Sequence, residues 1–324
     1  MGSRINLVSA RYHWRNPVAL QLLVESLAMQ GPTGISLVAI RTAEGAWRCE
    51  RVAALLRERV RSPQTGQHPV RVLFCEAGPQ AVARVRAAVL EGEADAAVHS
   101  AEDLPCLDHE KLEVIAILPR GDPRDALYSE KGASFAQLHP GARVGVAGAA
   151  RAAQLGELRP DLWVVALDGD APALDRVGRD LDAAVVPALV LAQSGRPASG
   201  LFALEKLVPG AGRGTIAIEV RAGERGLLPL LAELDDPRSR LQWTAERVVL
   251  RRLAAWPASS LGVIAEVTYG SVTLHGALAT GAPMPLVRAH RSGPAAMATQ
   301  VADSVAGALL LQEGPGTRLA GQGR

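Results

Sequence analysis

The stretch ADAAVHSAEDLP, residues 94–105, is a short apolar run that ends in a cluster of polar side chains. Residues 95–99 are mostly small and apolar, which is typical of a strand buried on both faces of a parallel sheet. Asp103 follows this run, and Leu104-Pro105 then favours an extended exit, because the residue before a proline avoids helical angles. The stretch therefore predicts an α/β fold. It also raises the question whether Asp103 is a catalytic acid or a residue that caps a turn.

Similar apolar runs alternate with helical patterns along the rest of the chain. We predict strands at 4–10, 34–41, 70–77, 95–101, 112–118, 142–148, 162–169, 182–188 and 215–222, and a β-hairpin at 264–280. Helices are predicted at 18–30, around 46–60, at 79–90, near 172–181, at 237–256 and at 293–312. The alternation indicates parallel sheets covered by helices on both faces, arranged as two lobes. Two such lobes usually bind a ligand between them, near the carboxyl ends of the strands.

The composition excludes several classes of partner. At 324 residues the chain is long enough for two or three domains. Lys and Arg number 35 against 33 Asp and Glu, and no basic stripe is present, so neither nucleic acid nor an acidic partner is expected. The sequence shows no membrane span, no signal peptide and no metal-ligand spacing of its three cysteines. We expect a cytoplasmic protein that binds a small molecule, and its oligomeric state stays open.

Five segments, in order, resemble the porphobilinogen deaminase family, also called hydroxymethylbilane synthase. They are ADAAVHSAEDLP, RGDPRDALYS, GARVGVAGAARAAQLGELRPDL, VPGAGRGTIAIEVR and TAERVVLRRL. The resemblance implies that family's three-domain fold, with two periplasmic-binding-protein-like α/β lobes and a small α+β C-terminal domain. The boundaries expected from it are 1–120 with 212–232 for lobe 1, 121–211 for lobe 2, 233–313 for the C-terminal domain and 314–324 for a disordered tail.

The resemblance fails at the residue that carries the family's cofactor. In those enzymes a cysteine holds a covalent dipyrromethane on which porphobilinogen units are joined. The matching segment here is AAWPASSLG, residues 254–262, and the cysteine position is Pro257, which has no nucleophile. We therefore expect no dipyrromethane and no other cofactor.

The anion-binding loops that the resemblance implies also differ. The first-loop arginine and serine of the family correspond to Trp14 and Asn16, and one family arginine of two remains as Arg151. Another family arginine becomes Asp168, and the lysine beside the aspartate becomes Glu102. Because polycarboxylate pyrroles need several charge-assisted pairs, these changes predict weak binding of the family's substrate.

Asp103 matches the family aspartate that handles the pyrrole N–H and stabilises a cationic intermediate. We name it as the candidate acid or base, with Glu102 and His99 as its candidate catalytic neighbours. The alternatives are a turn-capping Asp103 and a buried, hydrogen-bonded His99. The candidate substrate-binding residues are Trp14, Asn16, Ser100, Arg151, Asp168 and Trp256. The two tryptophans favour an aromatic ligand or are packing residues, and Arg213 is a domain contact or a ligand contact.

Three functions are compatible with these residues. The first is a family member repurposed as a cofactor-free enzyme, in which Asp103 promotes an elimination, hydrolysis or cation-forming cyclisation of an aromatic or amine-bearing substrate. The second is a non-catalytic binding protein. The third is a porphobilinogen deaminase of tetrapyrrole biosynthesis, which Pro257 disfavours.

Overall fold

The computed structural model describes residues 35–59, 70–224, 231–280 and 286–311. In these residues three sheets define two α/β lobes and a smaller α+β domain, which confirms the expected fold class. The predicted strand 4–10 and helix 18–30 lie outside the described residues. The domain boundaries stay a proposed division of the chain.

Lobe 1 is a five-stranded sheet with a helix on each face. Its strand order is β2-β1-β3-β10-β4. Alternate residues of β1 point to opposite faces, so Leu37 packs on the first helix and Val38 on the second. The elements are β1 Ile35–Ile40, α1 Ala43–Arg59, β2 Val70–Cys75, α2 Ala81–Leu90, β3 Ala96–Ser100, β4 Leu112–Ile117 and, after lobe 2, β10 Ile216–Arg221.

Lobe 2 repeats this plan with the strand order β7-β6-β8-β5-β9. One face of the sheet packs on the helix that follows β6, and the other on the two helices that follow β7 and β8. The elements are β5 Asp125–Ser129, β6 Arg143–Ala147, α3 Ala149–Leu158, β7 Trp163–Leu167, α4 Asp170–Arg176, β8 Ala183–Pro187, α5 Ala188–Gln193 and β9 Gly200–Leu201.

The prediction of wholly parallel sheets is wrong at the strands next to the two crossovers. β10 runs antiparallel to both β3 and β4, and β5 runs antiparallel to β8 and β9. The chain enters and leaves lobe 2 at the side that faces lobe 1, so the strand after each crossing runs opposite to its neighbours. Residues 121–129 include β5, a strand that the sequence analysis did not identify.

The C-terminal domain packs two helices on one face of an antiparallel sheet. The predicted hairpin is confirmed, and residues 286–294 add a third strand that the sequence analysis did not identify. Apolar side chains of the helices and the sheet form one buried cluster. The elements are α6 Pro237–Arg252, β11 Leu261–Thr268, β12 Ser271–Ala279, β13 Leu286–Pro294 and α7 Ala298–Leu311.

No helix among the described residues combines the length and the apolar character that a membrane span requires.

Candidate functional site

A cavity of about 610 Å³ lies between the two lobes. Its walls come from chain segments that follow strand ends, as is usual for α/β folds. Lobe 1 contributes the residues after β1 and β3, and lobe 2 contributes the starts of α4 and α5. The crossover segments around Gly121 and Gly214 close the cavity between the lobes. A volume in this range accommodates a small organic ligand.

Asp103 lines this cavity in the turn that follows β3. Its backbone N–H donates to the Ser100 carbonyl at 3.0 Å, which holds the turn in place. The side chain is exposed, and within the described part of the chain its carboxylate has neither a hydrogen bond nor an ion pair. Ser100, at the end of β3, lines the same cavity. The carboxylate is thus accessible to a ligand, and its catalytic role stays a prediction.

Glu102 also lines the cavity and is bound to Arg213 of the second crossover. Glu102 Oε1 lies 2.6 Å from Arg213 Nη2, and Arg213 Nη1 lies 3.9 Å from Asp125. A third of the Glu102 side chain remains accessible. Its partial burial in the cleft raises the pKa of Glu102; Arg213 opposes this effect, and the adjacent Asp103 adds to it.

Gly212 of the second crossover allows this segment to contact the turn that follows β3. Gly212 has a φ of +77°, and a Cβ at this residue would lie 2.7 Å from the backbone carbon of Ala101. Only glycine therefore permits the crossover to pack directly on the turn that carries Glu102 and Asp103.

Arg151, in the first turn of α3, is buried and engaged within the protein. It donates to both oxygens of Asp125 at 3.0 and 3.1 Å, and to Asp170 Oδ1 and the Ala147 carbonyl at 2.9 Å each. These bonds use four of the five N–H donors of a guanidinium. Burial lowers the pKa of Arg151, but the two carboxylates raise it by more. Arg151 is not among the residues that line the cavity, and its role as a substrate ligand stays a prediction.

His99 lies in β3 at an ion-pair distance from a buried carboxylate. His99 Nε2 is 3.3 Å from Glu219 of β10, and Arg86 of α2 donates two bonds to the same carboxylate at 2.7 and 2.8 Å. Burial raises the pKa of Glu219, but the nearby His99 and the two hydrogen bonds from Arg86 hold it below its usual value. This arrangement agrees with the alternative of a buried histidine, and His99 does not line the cavity.

Of the remaining candidates, the two that the structure describes, Asp168 and Trp256, are not among the residues that line the cavity. Asp168 is exposed, and the cavity wall begins only at the next residue, Gly169. Trp256 is half-buried against the apolar cluster of the C-terminal domain. Trp14 and Asn16 lie outside the described residues. Their roles in substrate binding stay predictions.

The sequence analysis predicted the helix that forms much of the lobe 1 wall but did not identify its residues as part of the site. Trp47, Arg48 and Arg51 of α1 line the cavity, together with Thr42 and Glu44 at its start. Trp47 and Arg48 lie four and three residues before Arg51, which places all three on one side of the helix and is a signal visible in the sequence. Among the described residues no cluster of His, Cys, Asp or Glu could hold a metal ion.

Glu102 predicts a specific pH dependence of stability. Its raised pKa means that folding favours the protonated form, so this contribution is complete below the ordinary glutamate pKa and is lost as the pH rises through the raised value. The variant Glu102→Gln should therefore gain stability relative to the native chain as the pH rises from about 4 to about 8. Urea unfolding of both proteins over this range checks the prediction. Parallel pH profiles, or a relative gain by the native chain, would contradict it.

Comparison with known proteins identifies relatives over most of the chain. A family model described as "Porphobilinogen deaminase, dipyromethane cofactor binding domain" matches residues 77–228. The porphobilinogen deaminase of Mycolicibacterium paratuberculosis is 39% identical over 238 residues, which are 69% of this chain and 76% of that protein. The porphobilinogen deaminase of Roseiflexus castenholzii is 36% identical over 236 residues, or 71% of this chain and 77% of that protein. Among solved structures, the methionine-binding protein MetQ aligns with 63% of this chain and 90% of its own, at 14% identity and a TM-score of 0.42.

These matches correct the expectation that the chain has no cofactor. The matched model describes a domain that binds dipyrromethane, and it covers β3, the crossovers and all of lobe 2. The expectation of no cofactor rested on a single position, Pro257, whereas the match extends over residues 77–228. The cofactor expectation is therefore wrong.

The positions of the three cysteines show whether a dipyrromethane could be attached to this chain through a thioether. A thioether needs a thiol at the cavity, and no cysteine in the described ranges lines it. Cys49 is fully buried in α1, and burial raises the pKa of its thiol. Cys75 and Cys106 are half-buried outside the cavity wall, and Pro257 is exposed. A dipyrromethane attached through a thioether does not fit these residues.

Proposed function

Because this chain belongs to the porphobilinogen deaminase family, we propose that it acts in tetrapyrrole biosynthesis and releases ammonia from an aminomethyl pyrrole bound between its lobes. Porphobilinogen, which the relatives' name specifies, is such a pyrrole. It also has the aromatic ring and the amine that the sequence analysis expected of the substrate.

The position of Asp103 supports the proposal most directly. Its carboxylate lies at the end of a central strand, faces the cavity and has no partner among the described residues. Glu102, next to it, is held by Arg213. Two adjacent carboxylates are thus in different environments, one neutralised by an arginine and one accessible to a ligand. Such a difference is typical of a site in which one carboxylate takes part in the chemistry.

Asp103 can assist the loss of ammonia without becoming covalently attached. With the aminomethyl group in its protonated ammonium form, the bond between the methylene carbon and the nitrogen breaks, and its electron pair leaves with the nitrogen as ammonia. The remaining positive charge is delocalised over the pyrrole, where the Asp103 carboxylate accepts a hydrogen bond from the ring N–H and stabilises the cation. Water or the carbon of a second pyrrole then forms the new bond to the methylene and loses a proton.

The proposal is tested by incubating the purified full-length chain with porphobilinogen and measuring ammonia. We expect ammonia to form in proportion to the protein concentration, with an equal loss of free porphobilinogen. Calorimetric titration with porphobilinogen in the same buffer separates the alternatives. Binding without ammonia release would identify a non-catalytic binding protein. Neither binding nor release would favour an enzyme repurposed for a different substrate, and either result would contradict the proposal.

A further inference from the structure

Helix α1 presents a row of large side chains to the cavity. Glu44, Trp47, Arg48 and Arg51 all line it; Trp47 and Arg48 are adjacent and each lies three or four residues from Glu44 and from Arg51, so the four share one side of the helix. Arg48 is half-buried and Arg51 is exposed, so both guanidinium groups are held near the wall but remain open to a ligand. No other helix among the described residues brings two arginines to this cavity.

The arginines of α1 differ from the other arginines near the cleft in their partners. Arg213 is bound to Glu102, and Arg151 is bound to Asp125 and Asp170. By contrast, neither Arg48 nor Arg51 forms an ion pair or a hydrogen bond with another side chain in the described ranges. The Arg51 guanidinium lies 6.0 Å from the centre of the Trp47 ring, a distance compatible with a cation–π contact.

The wall contributed by lobe 2 is largely apolar. Pro172, Pro187, Leu189 and Val190 line the cavity from the starts of α4 and α5. The one carboxylate of this wall, Asp170, is paired with Arg151. A flat ring can therefore lie against apolar side chains of lobe 2, with the arginines and the Trp47 ring on lobe 1.

We infer that Arg48 and Arg51 form the subsite that binds the carboxylates of the substrate. This inference rests on the proposed function for the identity of the substrate, and it assigns the contacts with the substrate carboxylates to α1 of lobe 1. Arginine suits this task because its planar fork bonds both oxygens of a carboxylate. The buried Arg151 then stabilises lobe 2, and Asp103 is left to interact with the pyrrole N–H and the cation.

The inference is tested by comparing two aminomethyl pyrroles, one with carboxylate side chains and one without them. Porphobilinogen carries two, and 2-(aminomethyl)pyrrole carries none. For the double variant Arg48→Ala, Arg51→Ala we expect calorimetric titration to show a Kd for porphobilinogen at least tenfold higher than that of the native chain. The affinity for 2-(aminomethyl)pyrrole should not fall. Arg71→Ala, which removes an exposed arginine of β2 outside the cavity, is the matched control and should leave both affinities unchanged.

Several results would overturn the inference. An unchanged Kd for porphobilinogen, an equal loss of affinity for both ligands, or no porphobilinogen binding by the native chain would each do so. If the double variant does not fold, the single variant Arg51→Ala provides the comparison, because it changes only an exposed side chain. A Kd of this variant for porphobilinogen within twofold of the native value would refute the assignment. A failure of the proposed chemistry alone is distinguishable, since the native chain would then bind porphobilinogen without releasing ammonia, and the two ligands would still test the subsite.

Discussion

The variant Asp103→Asn is expected to release ammonia from porphobilinogen about 10²–10⁴-fold more slowly than the native chain. Asparagine has nearly the same shape, so the turn after β3 should be retained, including the bond from the residue 103 N–H to the Ser100 carbonyl. The amide has no negative charge with which to stabilise the cation that forms when ammonia leaves. The loss should therefore appear in kcat, while the Kd for porphobilinogen changes by less than about tenfold.

Initial rates of ammonia release at saturating porphobilinogen provide the measurement. Glu110→Gln removes an exposed carboxylate from the segment between β3 and β4 that also carries Asp103, and it serves as the matched control. Its rate should equal the native rate. A fall of less than threefold in Asp103→Asn would show that the carboxylate does not participate in the chemistry.

Replacing Glu246 by alanine is expected to lower the free energy of unfolding by about 3–5 kcal/mol. Glu246 is completely buried in α6 and accepts four hydrogen bonds. Arg120 donates two of them at 2.7 and 2.9 Å, and the backbone N–H groups of Gly212 and Ala265 donate the others at 2.7 and 2.9 Å. The first crossover, the second crossover and β11 thus meet at one carboxylate. Its removal leaves the buried Arg120 charge without a partner.

Urea unfolding followed by circular dichroism measures this loss. Thr244→Ala, an exposed position of the same helix, is the control and should change the free energy of unfolding by no more than about 0.5 kcal/mol. Glu246→Gln keeps one acceptor oxygen without the charge and should fall between the control and the alanine variant. A loss below about 1 kcal/mol in Glu246→Ala would contradict the role assigned to this carboxylate.

Local patterns in the sequence predicted most strands and helices, because burial on both faces produces continuous apolar runs. β1, β3 and β8 all lie within the predicted ranges. The direction of β5 and β10 was not predictable in the same way. Whether a buried strand runs parallel or antiparallel to its neighbour depends on the path of the chain through the other lobe, and the residues of the strand do not encode that path.

The sequence predicted residues of the candidate site where they lie at the end of a buried strand or directly after it. Ser100 ends the buried strand β3, Glu102 and Asp103 follow it, and all three line the cavity. The partners of Arg151 were not predictable, since Asp125 and Asp170 are 26 and 19 residues away in sequence. The helical spacing of Arg48 and its neighbours in α1 was visible in the sequence. Only the structure shows which side of that helix meets the cavity.

The placement of β10 between β3 and β4 has a consequence for synthesis on the ribosome. Lobe 2 is encoded continuously by residues 125–201, whereas the central sheet of lobe 1 needs a strand that begins at Ile216. At about 5–20 residues per second, the interval between the appearance of β4 and that of β10 is roughly 5–20 s. During this time the edges of β3 and β4 that β10 later joins are both unpaired, so lobe 2, which is encoded second, is completed before lobe 1. A chaperone that protects strand edges during translation should therefore contact residues 96–117 of the growing chain.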